Sequence, residues 1–274
     1  MEGPEPRLGV VAFVTRSLGR IRSEFEVFLL LSLLWAVIAT ILGWPLLKEL
    51  AKLQTVTPGD NAAVLAILGN VLPLALGLGA IALVAYSGLY VAWVRIGMIG
   101  RNHAFESGFL RRIGMVLWRT VAFFGYGILV GIGIVIVSFI LSAVAGVAAG
   151  ESGGTLAEAL TSLILIVALV PLSLAYFFSV VGAALDRRMP IHRAFKSLQG
   201  LWRPVIGASI LGYLIFTLPS IVTSLSSGAA VGEPNLLWTS VSNLLGALAN
   251  LYLITVAMTA WQEAERRGKI DEGD

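Results

Sequence analysis

Residues 185–204, LDRRMPIHRAFKSLQGLWRP, place five cations, Arg187, Arg188, Arg193, Lys196 and Arg203, between two long apolar runs. A second basic stretch, HAFESGFLRR at residues 103–112, ends in Arg111 and Arg112. Guanidinium and ammonium groups at this density are able to reach anionic lipid phosphate. These seven residues are the candidate contacts to anionic lipid headgroups or to a protein partner. A different chemistry is offered by Asn243 and Asn250, seven apart in the last apolar run, with Gly246 and Ala247 between them on a similar face. An amide in hydrocarbon needs a partner, so the pair is expected to point inward and form interhelical hydrogen bonds. The alternative role is the lining of a polar cavity.

Reactive constellations are missing from the sequence. It has no His-Glu-x-x-His, no Gly-x-Ser-x-Gly and no phosphate loop. With no cysteine, disulfides and thiolate chemistry are excluded. His103 and His192 stand alone, which makes them interfacial polar residues rather than metal ligands. Ser209 follows a glycine and an alanine inside an apolar run, where no histidine activates it, and is expected to bond its own helix. The expectation is a protein that is not an enzyme and carries no cofactor or metal.

The surroundings of these residues are set by composition. Of 274 residues, 57% are hydrophobic and 13% charged, against about 25% charged in soluble domains. Uncharged runs cover Val27–Leu47, Asn61–Val94, Thr120–Gly150, Ala159–Leu185, Pro204–Gly232 and Pro234–Gln262. Each reaches the roughly 20 residues that cross a bilayer, and their continuity favours helices over a barrel. The reading is an all-α polytopic protein with six transmembrane helices. No Asp, Glu, Lys, Arg or His interrupts a run, which argues against ion-coupled transport. Gly127 with Gly131, Gly146 with Gly150, and Ala208 with Gly212 give the small-xxx-small spacing of close helix approach.

Orientation follows from the cations: 17 of 19 lie in the amino-terminal segment, the second-to-third and fourth-to-fifth connections and the tail. Only Lys48 and Lys52 lie opposite. This asymmetry predicts both termini and both basic connections in the cytoplasm. The first run is expected to be a retained span rather than a signal peptide. A net charge of only +3 makes nucleic-acid binding an unsuitable role.

Ala-Phe recurs at Ala12-Phe13, Ala104-Phe105 and Ala194-Phe195, each followed two places later by Thr15, Ser107 or Ser197. The spacing predicts three two-span repeats, about 6–95, 101–186 and 190–262, and a polar cytoplasmic tail over 263–274. Each repeat is expected to open with a cytoplasmic amphipathic helix lying in the interface. The apolar stripes are Val11, Val14, Leu18 and Ile21 (opposite Arg7, Arg16, Arg20 and Arg22), then Phe105, Phe109, Ile113, Val116 and Leu117, then Ile191, Ala194, Phe195, Leu198, Leu201 and Trp202.

The stretch ALDRRMPIHRAFKSLQGLWRPVIGASILGYL at residues 184–214 resembles the recurring segment of the YciC-like group, which is related to the membrane domain of some bacterial glycerophosphodiester phosphodiesterases. The matching positions are Asp186 at the end of a span, Ala194-Phe195, Ser197 and the basic lead at Arg203. The Ala104-Phe105 copy has Arg95 where the acid would stand. The resemblance implies a six-span inner-membrane protein with no catalytic residues to carry over. The function expected from these readings is a scaffold, assembly or envelope-accessory factor that binds anionic lipid or a membrane-protein partner, with homo-oligomers possible. The alternative is an uncoupled, flippase-like pathway for lipid or an amphipathic solute.

Overall fold

The computed structural model describes residues 9–57, 59–149, 153–226 and 235–270, without the side chains of 141–149, 153–160, 163, 166 and 219–226. Arg7 and Gly150 lie outside the described residues. Among the described residues the chain is helical throughout, with no strand. The helices are α1 (Val10–Ser23), α2 (Phe25–Ala51), α3 (Asn61–Ile99), α4 (Phe109–Ala149), α5 (Gly153–Ala184), α6 (Ile191–Ser197), α7 (Trp202–Ser226) and α8 (Leu236–Arg266). Five of them, α2, α3, α4, α5 and α8, are long and apolar enough to cross a membrane. The sixth candidate is the pair α6 and α7, which bends by 108° at the break between them. These are the helices of a multi-pass membrane protein.

Local chemistry sets where the helices begin and stop. Asp60 caps α3 by accepting from the Ala63 N–H at 3.0 Å, and Asn235 caps α8 by accepting from Trp238 at 3.2 Å. Each oxygen satisfies a first-turn donor that has no intrahelical partner. Gly100, at φ +101°, ends α3, and Gly200, at φ +79°, turns the chain between α6 and α7. Asp186 ends α5 in the same left-handed region, at φ +62°. The Arg187 N–H then bonds Gly182 O at 2.8 Å and the Asp186 N–H bonds Ala183 O at 3.3 Å, which closes a Schellman turn.

α8 is the central helix, packing against α1, α2, α3, α5 and α7, while α4 lies against α5 and α3. The core is aromatic and densest towards one end: Trp93, Trp261, Tyr252, Phe13 and Phe178 are fully buried. The Phe28 and Trp93 rings lie 5.3 Å apart, and those of Phe178 and Trp261 lie 5.0 Å apart. The most apolar stretches of α3 and α4 are left uncovered, with Leu76 and Phe139 outward, which suits hydrocarbon as solvent. Of the small-residue pairs, Ala208 and Gly212 make the close approach. The Tyr252 hydroxyl donates to Ala208 O at 3.0 Å, and a Cβ at Gly212 would overlap the Tyr252 ring. Gly127 and Gly131 face open space.

The three expected interfacial helices have three different outcomes. α1 forms with its packed face rotated from the expected one: Ile21 is buried and Val14 partly so, but Phe13 and Ser17 are buried in place of Val11, 79% exposed, and Leu18, 42% exposed. The choice is tertiary, because the Ser17 hydroxyl pairs with that of Thr259 at 3.0 Å, so a serine sits at the centre of the packed stripe. No separate helix precedes α4. Residues Arg101–His103 make one 3-10 turn, Gly108 adopts φ +89°, and Phe105 is 70% exposed. Arg95 holds that turn in place, donating from Nε to His103 O at 2.8 Å and from Nη2 to Glu106 at 3.0 Å. α6 forms and buries Ile191 and Ala194, and the turn after it buries Leu198 and Leu201, as expected; the helix stops after seven residues and Gly200 then turns the chain. The three Ala-Phe pairs therefore lie in a helix, a turn and a helix.

Candidate functional site

Ion pairs gather one end of the bundle. Arg101 Nε reaches Glu24 at 2.6 Å, Arg111 Nη2 reaches Asp186 at 2.6 Å, and Arg16 Nη1 reaches Glu263 at 3.5 Å. Together they tie α1, α4, α5 and α8 and the turn after α3 into one arginine-rich face, here the basic end.

The seven predicted cations divide into groups there. Arg111 and Arg112 both bind Asp186, Arg112 from Nε at 2.7 Å, and the Arg112 side chain is only 8% exposed. Burial works against the Asp186 charge, but the hydrogen bonds and charges of the two arginines outweigh it and hold the carboxyl below its usual pKa. Arg112 is thus a structural cation, and not one that faces headgroups. Arg187 and Arg193 are held in contacts of their own, while Arg188 and Lys196 are exposed. Arg203, at the start of α7, is exposed and lines a cavity.

That cavity, of about 630 Å³, is bounded by Gly9, Val10, Gly200, Trp202, Arg203, Pro204 and Arg267. Among the described residues its lining holds two arginines and no acid. Arg267 is fixed by Glu263, whose Oε1 accepts from Nε at 2.9 Å and from Nη2 at 2.8 Å. Nη1 makes no hydrogen bond among the described residues. A guanidinium pinned on one edge and open on another is pre-organised for an anion.

A second basic cavity, of about 460 Å³, lies between α1, the end of α3 and the end of α8, with Arg16, Arg20 and Arg266 in its wall. Glu24 and Glu263 share the lining, so most of its charge is already compensated. Glu263, 6% exposed at its side chain, is the hub: Arg16, Arg266 and Arg267 all approach it. Arg20 donates to Gln262 at 2.6 Å, and burial lowers its pKa. Nearby, Glu106 is held below the usual carboxylate range by the hydrogen bond from His103, with opposing desolvation and the added charge of Arg95.

Sequence reading missed Glu263, taking it as the first residue of a polar tail. Its signal was the spacing Thr255, Thr259, Glu263, one turn apart each time, which continues a polar stripe down the buried face of α8. Arg267 was counted for orientation and given no role. Arg95 was assigned to a connection, whereas α3 extends past it and buries it to 3% exposure.

The two amides separate. Asn243 Nδ2 donates to the Thr40 hydroxyl at 3.0 Å, linking α8 to α2. Asn250 Nδ2 bonds Gly246 O in its own helix at 2.8 Å and lines a cavity of about 240 Å³ with Tyr86, Tyr90, Thr120, Ser173 and Tyr176. Ser209 departs from expectation: its buried Oγ has no partner.

What the fold and this face define is a multi-pass helical membrane protein with an arginine-lined cavity at one end. No family model, no curated protein and no solved structure matches the chain.

Proposed function

We propose that this is a non-enzymatic bacterial inner-membrane protein, a scaffold or envelope-accessory factor, that engages anionic lipid headgroups at its basic end. In this reading α2, α3, α4, α5, α7 and α8 make six crossings, and both termini are cytoplasmic. The three two-span units and membership of the YciC-like group belong to the same reading. The observation that carries it is the cavity at the start of α7, lined by Arg203, Arg267 and Trp202 and, among the described residues, by no acid. The inner leaflet supplies anionic phosphates at that depth, and a tryptophan beside them fits the headgroup boundary.

The test is reconstitution in nanodiscs of mixed phosphatidylglycerol and phosphatidylcholine, followed by native mass spectrometry of the lipids retained. Enrichment of phosphatidylglycerol that drops in Arg203→Gln/Arg267→Gln is the expected result. Equal recovery of the two lipids by the wild type would exclude headgroup selection, and a co-purified protein lost in the same variant would place a protein partner there instead. A second reading, an uncoupled pathway for an amphipathic solute, draws support from the hydroxyl-rich cavity at Asn250. Vesicle-based scrambling of a fluorescent lipid that depends on Asn250 would favour it.

A further inference from the structure

A groove of about 310 Å³ lies between α5, α7 and α8, two turns below the start of α7. Leu169, Val170, Leu174, Phe177 and Leu253 form one wall, and Ser209, Ile210, Tyr213 and Leu214 form the α7 wall. Ser173 and the Tyr213 phenol interrupt its apolar lining, and the third hydroxyl, on Ser209, is the buried one. That residue is 5% exposed, and its Oγ has no hydrogen-bond partner.

This state is unusual within the chain itself. A helical serine in an apolar setting ordinarily donates to the carbonyl four residues back. Ser32, Ser87, Ser138 and Ser240 all do so, at 2.8, 2.7, 2.7 and 2.8 Å, and on α7 itself Thr217 does so at 2.7 Å. A buried hydroxyl left without a partner carries an uncompensated desolvation cost, so its persistence beside a cavity points to a ligand acceptor. One turn of the hydroxyl rotor presents the donor to the groove.

Helical periodicity joins this groove to the headgroup cavity. Ser209 and Tyr213 stand seven and eleven residues after Trp202, and Ile210 and Leu214 stand seven and eleven after Arg203. Residues so spaced share one face of a helix. Ser209 therefore lies below Trp202 by about 10 Å along the axis. The order along that face is tryptophan and arginine at the start of α7, the buried Ser209 hydroxyl, and then the Tyr213 ring with hydrocarbon side chains. A diacyl phospholipid has a matching order of phosphate, ester carbonyl and acyl chain.

Resting on the headgroup reading above, we propose that the groove between α5, α7 and α8 seats an acyl chain of an anionic glycerophospholipid whose phosphate lies at Arg203 and Arg267, with Ser209 donating a hydrogen bond to an ester carbonyl. The ligand is thereby a whole lipid held in register, not a soluble anion and not a chain passing freely along the surface.

The decisive probe is a pair of phosphatidylglycerols that differ only in ester or ether linkage, since the ether analogue lacks the carbonyl. Retention on the wild-type protein during graded delipidation, read by native mass spectrometry, is expected to favour the ester by about fivefold, the size of one net hydrogen bond. Ser209→Ala removes that preference, and Ile210→Trp, which fills the groove, lowers retention of both lipids. Equal retention of ester and ether by the wild type overturns the proposal, as does glycerol phosphate competing as well as phosphatidylglycerol. If Arg203→Gln/Arg267→Gln leaves the preference over phosphatidylcholine intact, the headgroup reading fails, while the ester–ether comparison still judges the groove.

Discussion

Asp186 Oδ2 accepts from Arg112 Nε at 2.7 Å while its other oxygen accepts from Arg111 at 2.6 Å. The acceptor sits in a left-handed turn at the end of α5, and the donors sit in the first turn of α4, so one carboxylate locks two helix ends together. Glycine is the usual occupant of that backbone position, and aspartate is among the few other residues that tolerate it. Here the side chain supplies the reason for the choice.

Asp186→Asn keeps the turn and removes the charge. It leaves Arg112, whose Nη1 is already buried without a partner, uncompensated. The expected loss is about 2 kcal/mol of stability, measured by thermal unfolding in detergent. Because the folded-state pKa of Asp186 is depressed, its contribution is present above the ordinary carboxylate value near ~3.9 and fades as pH falls through and below it. The variant should therefore show a smaller acid-induced loss than the wild type. An unchanged acid limb would count against the assignment.

Docking of α1 onto α8 is open to a cross-linking check, since the chain has no cysteine of its own. Ser17→Cys with Thr259→Cys, where the hydroxyls are 3.0 Å apart, should form a disulfide under mild oxidation. Val11→Cys with Thr259→Cys should not, because Val11 faces outward. The reverse pattern would restore the stripe that the sequence suggested.

At the α7–α8 contact, Gly212→Leu drives a side chain into the Tyr252 ring and should abolish the monodisperse peak in size-exclusion chromatography. Tyr252→Phe removes only the hydrogen bond to Ala208 O, with an expected cost of about 1 kcal/mol. Equal behaviour of the two variants would mean that the close approach is not made.

Sidedness is tested by labelling single cysteines from outside intact cells with an impermeant maleimide. Lys52→Cys, beside Glu49 at the far end of α2, should react, and Arg188→Cys should not. Labelling of Arg188→Cys alone would invert the orientation.

The resemblance singled out an acid at position 186 without giving it a task, and the structure supplies one. It also takes Arg112, which spacing alone grouped with the exposed cations, out of solvent. Half of the α1 stripe, Val11 and Leu18, failed for a related reason. A pattern of apolar residues cannot register a serine that becomes buried because a threonine 242 positions away meets its hydroxyl.

The amino-acid sequence by itself determined the long apolar helices, the crowding of positive charge into three segments and a tail, and most of the α6 stripe. Those properties depend on transfer free energy and backbone propensity, which each segment carries alone. Tertiary structure decided which arginines are spent on Asp186 and Glu263, which face of α1 is packed, and that the segment before α4 is a turn. It also left Arg203, one edge of Arg267 and the Ser209 hydroxyl open. A charge or hydroxyl has no fixed role until its neighbours are known, because desolvation and pairing are of similar size and opposite sign.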